Sequence, residues 1–291
     1  MLITQKMELM KLSSNEELIY QFILNHPEQL ERLTIKQIAS QIYVSPALFI
    51  VFAKKLGYSG WNEFKQDFIE ERKYLDSHFQ QVNPNKPFSS QDNIMNIAYK
   101  IATLQNETIQ DTLQLIHHDN LQKATQLLKK SSHIYLFGSN MSYIASQEFF
   151  YSMKRLGAHI EYNIDPIEQV FQAQIMPPQS VAIVISYTGE TAHVLKICQD
   201  LHRQKVPIIT ITGYGENTVM QYSDVALYMS TRENVHTKIS TFSTRQSIHT
   251  ILDILYSCYF AFHYQENYEK VVEINNSVEY RRFSSNTKIN Q

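Results

Sequence analysis

Between residues 133 and 229 the chain alternates short apolar runs with longer amphipathic segments, and this alternation limits the folds open to it. The most apolar run, Ser180–Ser186, reads SVAIVIS and is typical of a strand that is buried on both faces. Segments whose apolar residues recur at helical spacing separate this run from its neighbours. Strands that alternate with helices at this spacing indicate a parallel sheet with helices on both faces.

The predicted elements of this region follow from the same patterns. The strands are predicted at 133–137, 159–163, 180–186, 207–212 and 225–229. The helices are predicted at 141–156, 166–174, 191–204 and 248–264, after two earlier helices at 94–116 and 119–130.

The first part of the chain instead predicts short helices with tight stops. Ser13–Glu17 contains two overlapping capping boxes, and Thr34–Gln37 contains another. Ser45–Pro46 is a third helix start, and Gly57 is a typical left-handed stop. Three helices with about three residues between the second and third outline a helix-turn-helix. The same spacing also suits a three-helix bundle that does not bind DNA.

A polar stretch with two prolines separates these regions, so two domains are expected from the 291 residues. The fold class is mainly α plus α/β. The predicted boundaries are a helix-turn-helix domain at 1–78, a linker at 79–92, an α/β domain at 93–270 with leading and closing helices, and a polar tail at 271–291.

Charge and composition exclude several classes of protein. The 26 basic and 28 acidic residues give a net charge of −2, so any DNA binding must depend on local geometry. Two cysteines make neither a disulfide framework nor a zinc site, and the eleven histidines lack metal-ligand spacing. No apolar run approaches the roughly 20 residues of a membrane span, and no signal-peptide pattern is present. We therefore expect a cytoplasmic protein without membrane, metal or cofactor.

Two turns between a strand and a helix are rich in hydroxyl groups. In parallel sheets ligands bind beyond the carboxyl ends of strands, and the N–H groups at a helix N-terminus attract anions. These turns predict a phosphate site, although the same hydroxyls could serve only as helix caps. The predicted ligand-binding residues are Gly138, Ser139, Asn140, Ser142, Ser186, Tyr187, Thr188, Gly189, Glu190 and Thr191.

Catalytic groups have less support in the sequence. Glu190 and His193 lie near the second turn and His249 lies on the closing helix, so an acid–base pair for sugar isomerisation is conceivable. In the ordinary alternative, Glu190 stabilises a helix N-terminus and the histidines have no chemical role. The nucleotide-binding patterns of the P-loop and of dinucleotide folds are absent from the sequence.

Ser186–Thr191 (SYTGET) resembles the pattern S-x-S/T-G-E-T of the SIS (sugar isomerase) domain, and residues 137–142 resemble that domain's first phosphosugar-binding turn. The run 44–65 resembles the helix-turn-helix of the RpiR/MurR family of bacterial regulators, and 244–256 fits that family's closing helix. The resemblance implies a SIS domain with a five-stranded parallel sheet. It also implies a transcriptional regulator, rather than an enzyme, that binds operator DNA and a phosphorylated sugar as a homodimer or dimer of dimers.

One departure from the family concerns the recognition helix. The family usually has Thr and Arg where this chain has Leu48 and Val51, so the run 48–52 is apolar all round. The resemblance and the remaining polar groups yield the expected DNA-binding residues Ser45, Ala47, Leu48, Lys54, Lys55 and Lys65. Two alternatives remain at this point: a SIS-type sugar-phosphate isomerase, and a phosphosugar sensor that has lost DNA binding.

Overall fold

The computed structural model describes residues 3–8, 10–76 and 81–278. These residues form two compact units. The first contains the described residues up to 111 with 214–216 and 232–242, and the second contains 112–213, 217–231 and 243–278.

The first unit is helical. Its helices are α1 Ile3–Glu8, α2 Ser14–Asn25, α3 Pro27–Arg32, α4 Ile35–Gln41, α5 Pro46–Lys55, α6 Trp61–Asp76 and most of α7 Ile94–Leu115. The capping boxes predicted at Ser13 and Thr34 are both present, and the Oγ of Ser45 accepts the Ala47 N–H. Gly57 has a φ of +97°, so the predicted left-handed stop of α5 is also confirmed.

Aromatic side chains from α5 and α6 form the centre of this unit. Phe49 packs edge-on against Trp61 with ring centroids 4.7 Å apart, and Phe52 packs edge-on against Phe64 at 6.0 Å. All four rings are buried. These contacts hold one face of α5 against the unit, and burial of such rings stabilises the fold by roughly 1.5–3 kcal/mol each.

The described part of the predicted linker, 81–92, has no helix or strand, but it makes more packing contacts than its polar composition predicts. Val82 and Pro87 are buried. The Asn85 side chain accepts the Asn234 N–H at 2.5 Å and donates to the Arg232 carbonyl at 3.3 Å. Asn85 therefore ties this segment to 232–242 within the first unit.

The second unit is the expected parallel α/β sheet. Its strands are β1 His133–Gly138, β2 Ile160–Tyr162, β3 Ser180–Ser186, β4 Ile208–Gly213 and β5 Val225–Met229, in the order β2-β1-β3-β4-β5. Its helices are α8 His118–Lys130, α9 Asn140–Ile144, α10 Gln147–Arg155, α11 Pro166–Gln174, α12 Ala192–Arg203, a 3-10 helix Thr218–Tyr222, α13 Phe242–Ala261 and α14 Tyr264–Val278.

The side chains of β3 alternate between two cores, as its continuous apolar run predicts. Val181, Ile183 and Ile185 pack with helices α8, α10 and α13 on one face of the sheet. Ala182 and Val184 pack with α11 and α12 on the other face. Helices therefore cover both faces, and the predicted α plus α/β fold class is confirmed.

The single helix predicted at 141–156 is divided into α9 and α10. Two further helix boundaries also differ from the sequence prediction. Helix α13 begins at Phe242 rather than 248, because its first turns bury the polar residues Ser243 and Ser247 instead of apolar ones. The Ser247 Oγ accepts the Ser230 N–H at 3.0 Å, which satisfies that buried hydroxyl. The segment 271–278, expected as part of a polar tail, belongs to α14, while 279–291 lies outside the described residues.

Within the described ranges, no single helix is both long and apolar enough to cross a membrane. In the same part of the chain, α4 and α5 together reach that length and hydropathy, but a bend of 104° separates them.

Candidate functional site

The two predicted turns follow neighbouring strands at the centre of the sheet. Gly138, the last residue of β1, pairs with Ile185 of β3, so the two strands end side by side. After β1 the chain forms β2, which lies on one side of β1, and then β3, which lies on the other side of β1. This reversal of strand order opens a crevice beyond the strand ends, where ligands of such sheets bind.

Hydrogen bonds with buried side chains fix the backbone at the end of β1, where the first turn begins. The Gly138 N–H donates to Oε1 of Gln169 at 2.9 Å, and Nε2 of Gln169 donates to the Asn163 carbonyl at 2.9 Å. The Tyr143 hydroxyl donates to the Leu136 carbonyl at 2.7 Å, and burial raises the pKa of this phenol. Gln169 and Tyr143 were not among the predicted site residues, since a buried polar residue on a helix has no distinguishing sequence pattern.

Only glycine fits at position 138. A Cβ there would lie 2.7 Å from Cδ2 of Tyr143 and 2.8 Å from the Ile185 carbonyl oxygen. The close approach keeps the end of β1 against β3 and leaves the following residues to form the rim of the crevice.

The residues that follow Gly138 present polar groups. Ser139 is the N-cap of α9, but its side chain makes no capping hydrogen bond. Asn140 is exposed and has a φ of +57°, a left-handed conformation that asparagine tolerates better than most residues. Ser142 lies within α9, and its side chain falls outside the described part of the structure.

The second turn is organised by its own hydroxyl groups. The buried Ser186 Oγ accepts the Gly189 N–H at 3.2 Å, and the exposed Thr188 Oγ1 accepts the Glu190 N–H at 3.2 Å. The Thr212 hydroxyl donates to the Ser186 carbonyl at 2.8 Å. The turn therefore has a defined shape without a ligand, and Thr188 remains at its surface.

Gly189 is required by both conformation and space. Its φ is +68°, and a Cβ at this position would collide with the side chain of Asn217. Asn217 is in turn held by its Nδ2, which donates to Oγ1 of Thr212 at 3.1 Å. The sequence analysis did not select Asn217, which comes close to the turn only through the tertiary fold.

Thr191 begins α12 as its N-cap, and its side chain makes no capping hydrogen bond. The first amide groups of this 12-residue helix lie next to the turn. The positive end of a helix dipole favours an anion in this position. Hydroxyls and helix amides together are suited to a phosphate group.

The three candidate catalytic groups all have other contacts. Both carboxylate oxygens of Glu190 accept hydrogen bonds from Thr218. Nε2 of His193 lies 3.4 Å from the Gly138 carbonyl, and Nδ1 of His249 lies 3.5 Å from Glu148. Among the described residues no group of three or more His, Cys, Asp or Glu is arranged to hold a metal ion.

The predicted DNA-binding residues lie on and around α5. Ser45, Ala47 and Lys54 are exposed, with the Ser45 hydroxyl in use as the N-cap. Leu48 is half-buried and packs against the core of the first unit. Two lysines have partners within the unit, which the sequence did not indicate: Lys55 and Lys65.

The Lys55 ammonium lies 3.0 Å from the carboxylate of Glu16 and donates to the Lys11 carbonyl at 2.8 Å. The Lys65 ammonium donates to the Leu33 carbonyl at 3.5 Å, a weaker contact. Of the three lysines, Lys54 is therefore the one most open to a phosphate of DNA.

The fold and the site together define a helix-turn-helix protein with a SIS-type sugar-binding fold. The family model for the SIS domain matches residues 127–264, and the model for the helix-turn-helix domain of the rpiR family matches residues 1–73. An uncharacterized HTH-type transcriptional regulator of Thermotoga maritima is 29% identical over 249 residues, which cover 83% of this chain and 85% of the relative.

Solved structures share the fold. The Vibrio vulnificus NanR protein complexed with ManNAc-6P superimposes with a TM-score of 0.62 at 17% identity, over 97% of this chain and 100% of the other. The sugar isomerase domain of the RpiR transcription factor from Sphaerobacter thermophilus has a TM-score of 0.55 at 13% identity, over 62% of this chain and 98% of the other.

The two family models match most of the chain in the order that the sequence resemblance implied. The chain belongs to the rpiR family of helix-turn-helix transcriptional regulators with a SIS domain.

Proposed function

We propose that this regulator binds a phosphorylated sugar in the crevice between the turns that follow β1 and β3. Ligand binding would shift the equilibrium between two states of the protein that differ in affinity for operator DNA. This requires the sugar phosphate to prefer one of the two states. The proposal also includes a cytoplasmic location. It includes assembly as a homodimer or dimer of dimers, which the resemblance to regulators with a SIS domain implies.

The unused hydroxyl groups at the N-caps of α9 and α12 carry this proposal. If the turns served only as helix caps, Ser139 and Thr191 would be expected to accept hydrogen bonds from their helix amides. Neither side chain makes such a bond. The hydroxyls and the amides of α12 are therefore available to a ligand, and a dianionic phosphate suits them best.

The contacts of the acid–base candidates favour a sensor over an isomerase. A general base needs a free lone pair within reach of the substrate proton. The carboxylate of Glu190 is directed to the amide and hydroxyl of Thr218, and His193 faces the Gly138 carbonyl. The contacts with Thr218 support a structural role for Glu190, and we propose that the chain has no isomerase activity.

Calorimetric titration of the full chain with a panel of hexose and amino-sugar phosphates tests the proposal. We expect one member to bind and the corresponding unphosphorylated sugars to fail. The double variant Ser186→Ala with Thr188→Val should lose at least about a hundredfold in affinity, since each hydrogen bond to a charged group contributes roughly 1.5–3 kcal/mol.

The control variant is Ser257→Ala, which removes an exposed hydroxyl from α13 outside the turns. It should bind as the wild type does. Equal affinity of the double variant and the wild type would mean that the turns do not hold the ligand. Turnover of any sugar phosphate in a coupled assay would contradict the sensor-only proposal.

A further inference from the structure

The outward face of α5 is apolar over two turns. Ala47, Ile50 and Val51 are all exposed, with Ile50 44% and Val51 53% accessible. Their spacing of i, i+3 and i+4 places them on one side of the helix, and Lys54 continues that side at i+7. The opposite side, which includes Phe52, is buried in the core. The fold thus leaves an apolar stripe facing outward on the second helix of the helix-turn-helix.

The apolar part of this stripe, Ala47, Ile50 and Val51, cannot read bases through hydrogen bonds. From Pro46 to Ala53 the sequence is PALFIVFA, so no side chain before Lys54 carries a nitrogen or an oxygen. Most features that distinguish base pairs in the major groove are donors and acceptors. The apolar exception is the C5-methyl group of thymine, which pairs naturally with aliphatic side chains.

Charge favours a polyanion as the occupant of this face. The segment 34–60, which contains α4, the turn and α5, has three lysines and no aspartate or glutamate. Lys36 and Lys54 are exposed, whereas Lys55 is paired with Glu16. Exposed lysines beside an apolar stripe suit the groove of a duplex, where phosphates flank the base edges.

We propose that Ile50 and Val51 recognise thymine methyl groups, so that the operator is defined by T·A pairs at the positions facing α5. The inference rests on the proposed function, because it requires this helix to lie in the major groove of operator DNA. It goes beyond that function by naming the chemical group that is read.

Selection from a random-sequence duplex library with the full chain, in the presence and in the absence of the sugar-phosphate panel, provides the DNA for the test. We expect half-sites with thymines at recurring positions. Each such thymine is then replaced by deoxyuridine, which removes only the methyl group. Loss of one buried methyl, worth about 0.8 kcal/mol, should weaken binding by about fourfold.

Two variants connect this loss to the helix. For Ile50→Ala and Val51→Ala, the ratio of the affinities for thymine and uracil duplexes should fall toward one, because the side-chain methyl groups that contact thymine are gone. The control is Leu18→Ala, a side chain 45% exposed on α2, which should keep the full difference.

The possible outcomes separate this inference from the proposed function. Selected duplexes that bind equally well with uracil, or half-sites built from G·C pairs, would overturn the thymine inference while leaving DNA binding intact. A library that yields no bound duplex under either condition would overturn both, and would favour a protein partner for the apolar face.

Discussion

Glu190, in the turn after β3, accepts hydrogen bonds from both the backbone N–H and the hydroxyl of Thr218 at the start of the 3-10 helix. The Thr218 N–H donates to Oε1 at 2.8 Å, and the Thr218 hydroxyl lies 2.9 Å from Oε1 and 2.7 Å from Oε2. The side chain thus joins the second turn to the segment that follows β4.

Substitution of Glu190 should therefore affect stability more than ligand chemistry. Glu190→Ala should lower the free energy of unfolding by less than about 1 kcal/mol, because it removes charge-assisted hydrogen bonds at an exposed site. Glu190→Gln keeps an acceptor oxygen and should lower phosphosugar affinity by less than about tenfold. Urea unfolding and calorimetry measure the two effects. A larger loss than that of the Ser186 and Thr188 double variant would assign Glu190 to the ligand.

Lys54 and Lys55 are adjacent in the sequence but should behave differently. Lys54→Ala should weaken DNA binding across sequences and reduce the slope of log affinity against log salt by about one charge. Lys55→Ala should leave that slope nearly unchanged and destabilise the protein by about 1 kcal/mol, since it removes the partner of a buried carboxylate. Binding titrations at several salt concentrations, with thermal unfolding, distinguish the two roles. Equal slopes for the two variants would contradict this assignment.

The carboxylate of Glu16 predicts a pH dependence of the first unit. Hydrogen bonds from Ser13 and the nearby Lys55 hold its pKa below 4.5. The charged form therefore contributes stability above pH 4.5, and this contribution is lost as the pH falls through the lowered pKa of the folded state. Glu16→Gln should be less stable than the wild type at neutral pH, and the difference should narrow below pH 4. Thermal unfolding of both proteins between neutral pH and acid pH tests this prediction. A stability difference that stays constant with pH would refute it.

Limited proteolysis of the linker segment 81–92 tests the domain boundary. Its composition predicts the preferred site of limited proteolysis, which would leave a head of about 80 residues and a second fragment of about 200. The contacts of Asn85 with Asn234 and Arg232 should slow cleavage there. Asn85→Ala should raise the cleavage rate several-fold, as followed by mass spectrometry, whereas Lys86→Ala should not. First cleavage within the sheet would contradict the proposed boundary.

Local sequence patterns were sufficient to predict a helix end or a strand wherever the interaction that forms it spans only a few residues. The capping bonds at Ser13 and Thr34 each span three residues, and the stop at Gly57 depends on one φ angle. The buried strand β3 was likewise evident, because five consecutive apolar residues between two serines admit few other structures. These signals do not depend on the rest of the fold.

Patterns were misleading where polar residues are buried. The start of α13 was missed because Ser243 and Ser247 occupy core positions that an amphipathic pattern assigns to solvent. Their hydroxyls are tolerated there because the fold supplies partners, such as the Ser230 N–H for Ser247. Such a partner cannot be recognised before the chain folds.

The sequence by itself determined the strands, most of the helices and the two turns that are rich in hydroxyl groups, since these follow from local periodicity and local hydrogen bonds. Only the tertiary structure decided what surrounds the turns. Gln169 holds Gly138 from 31 residues away, and Thr218 binds Glu190 from 28 residues away. It also decided that Lys55 pairs with Glu16 while Lys54 remains exposed. Long-range contacts of this kind depend on how the helices and strands pack, which neither composition nor spacing specifies.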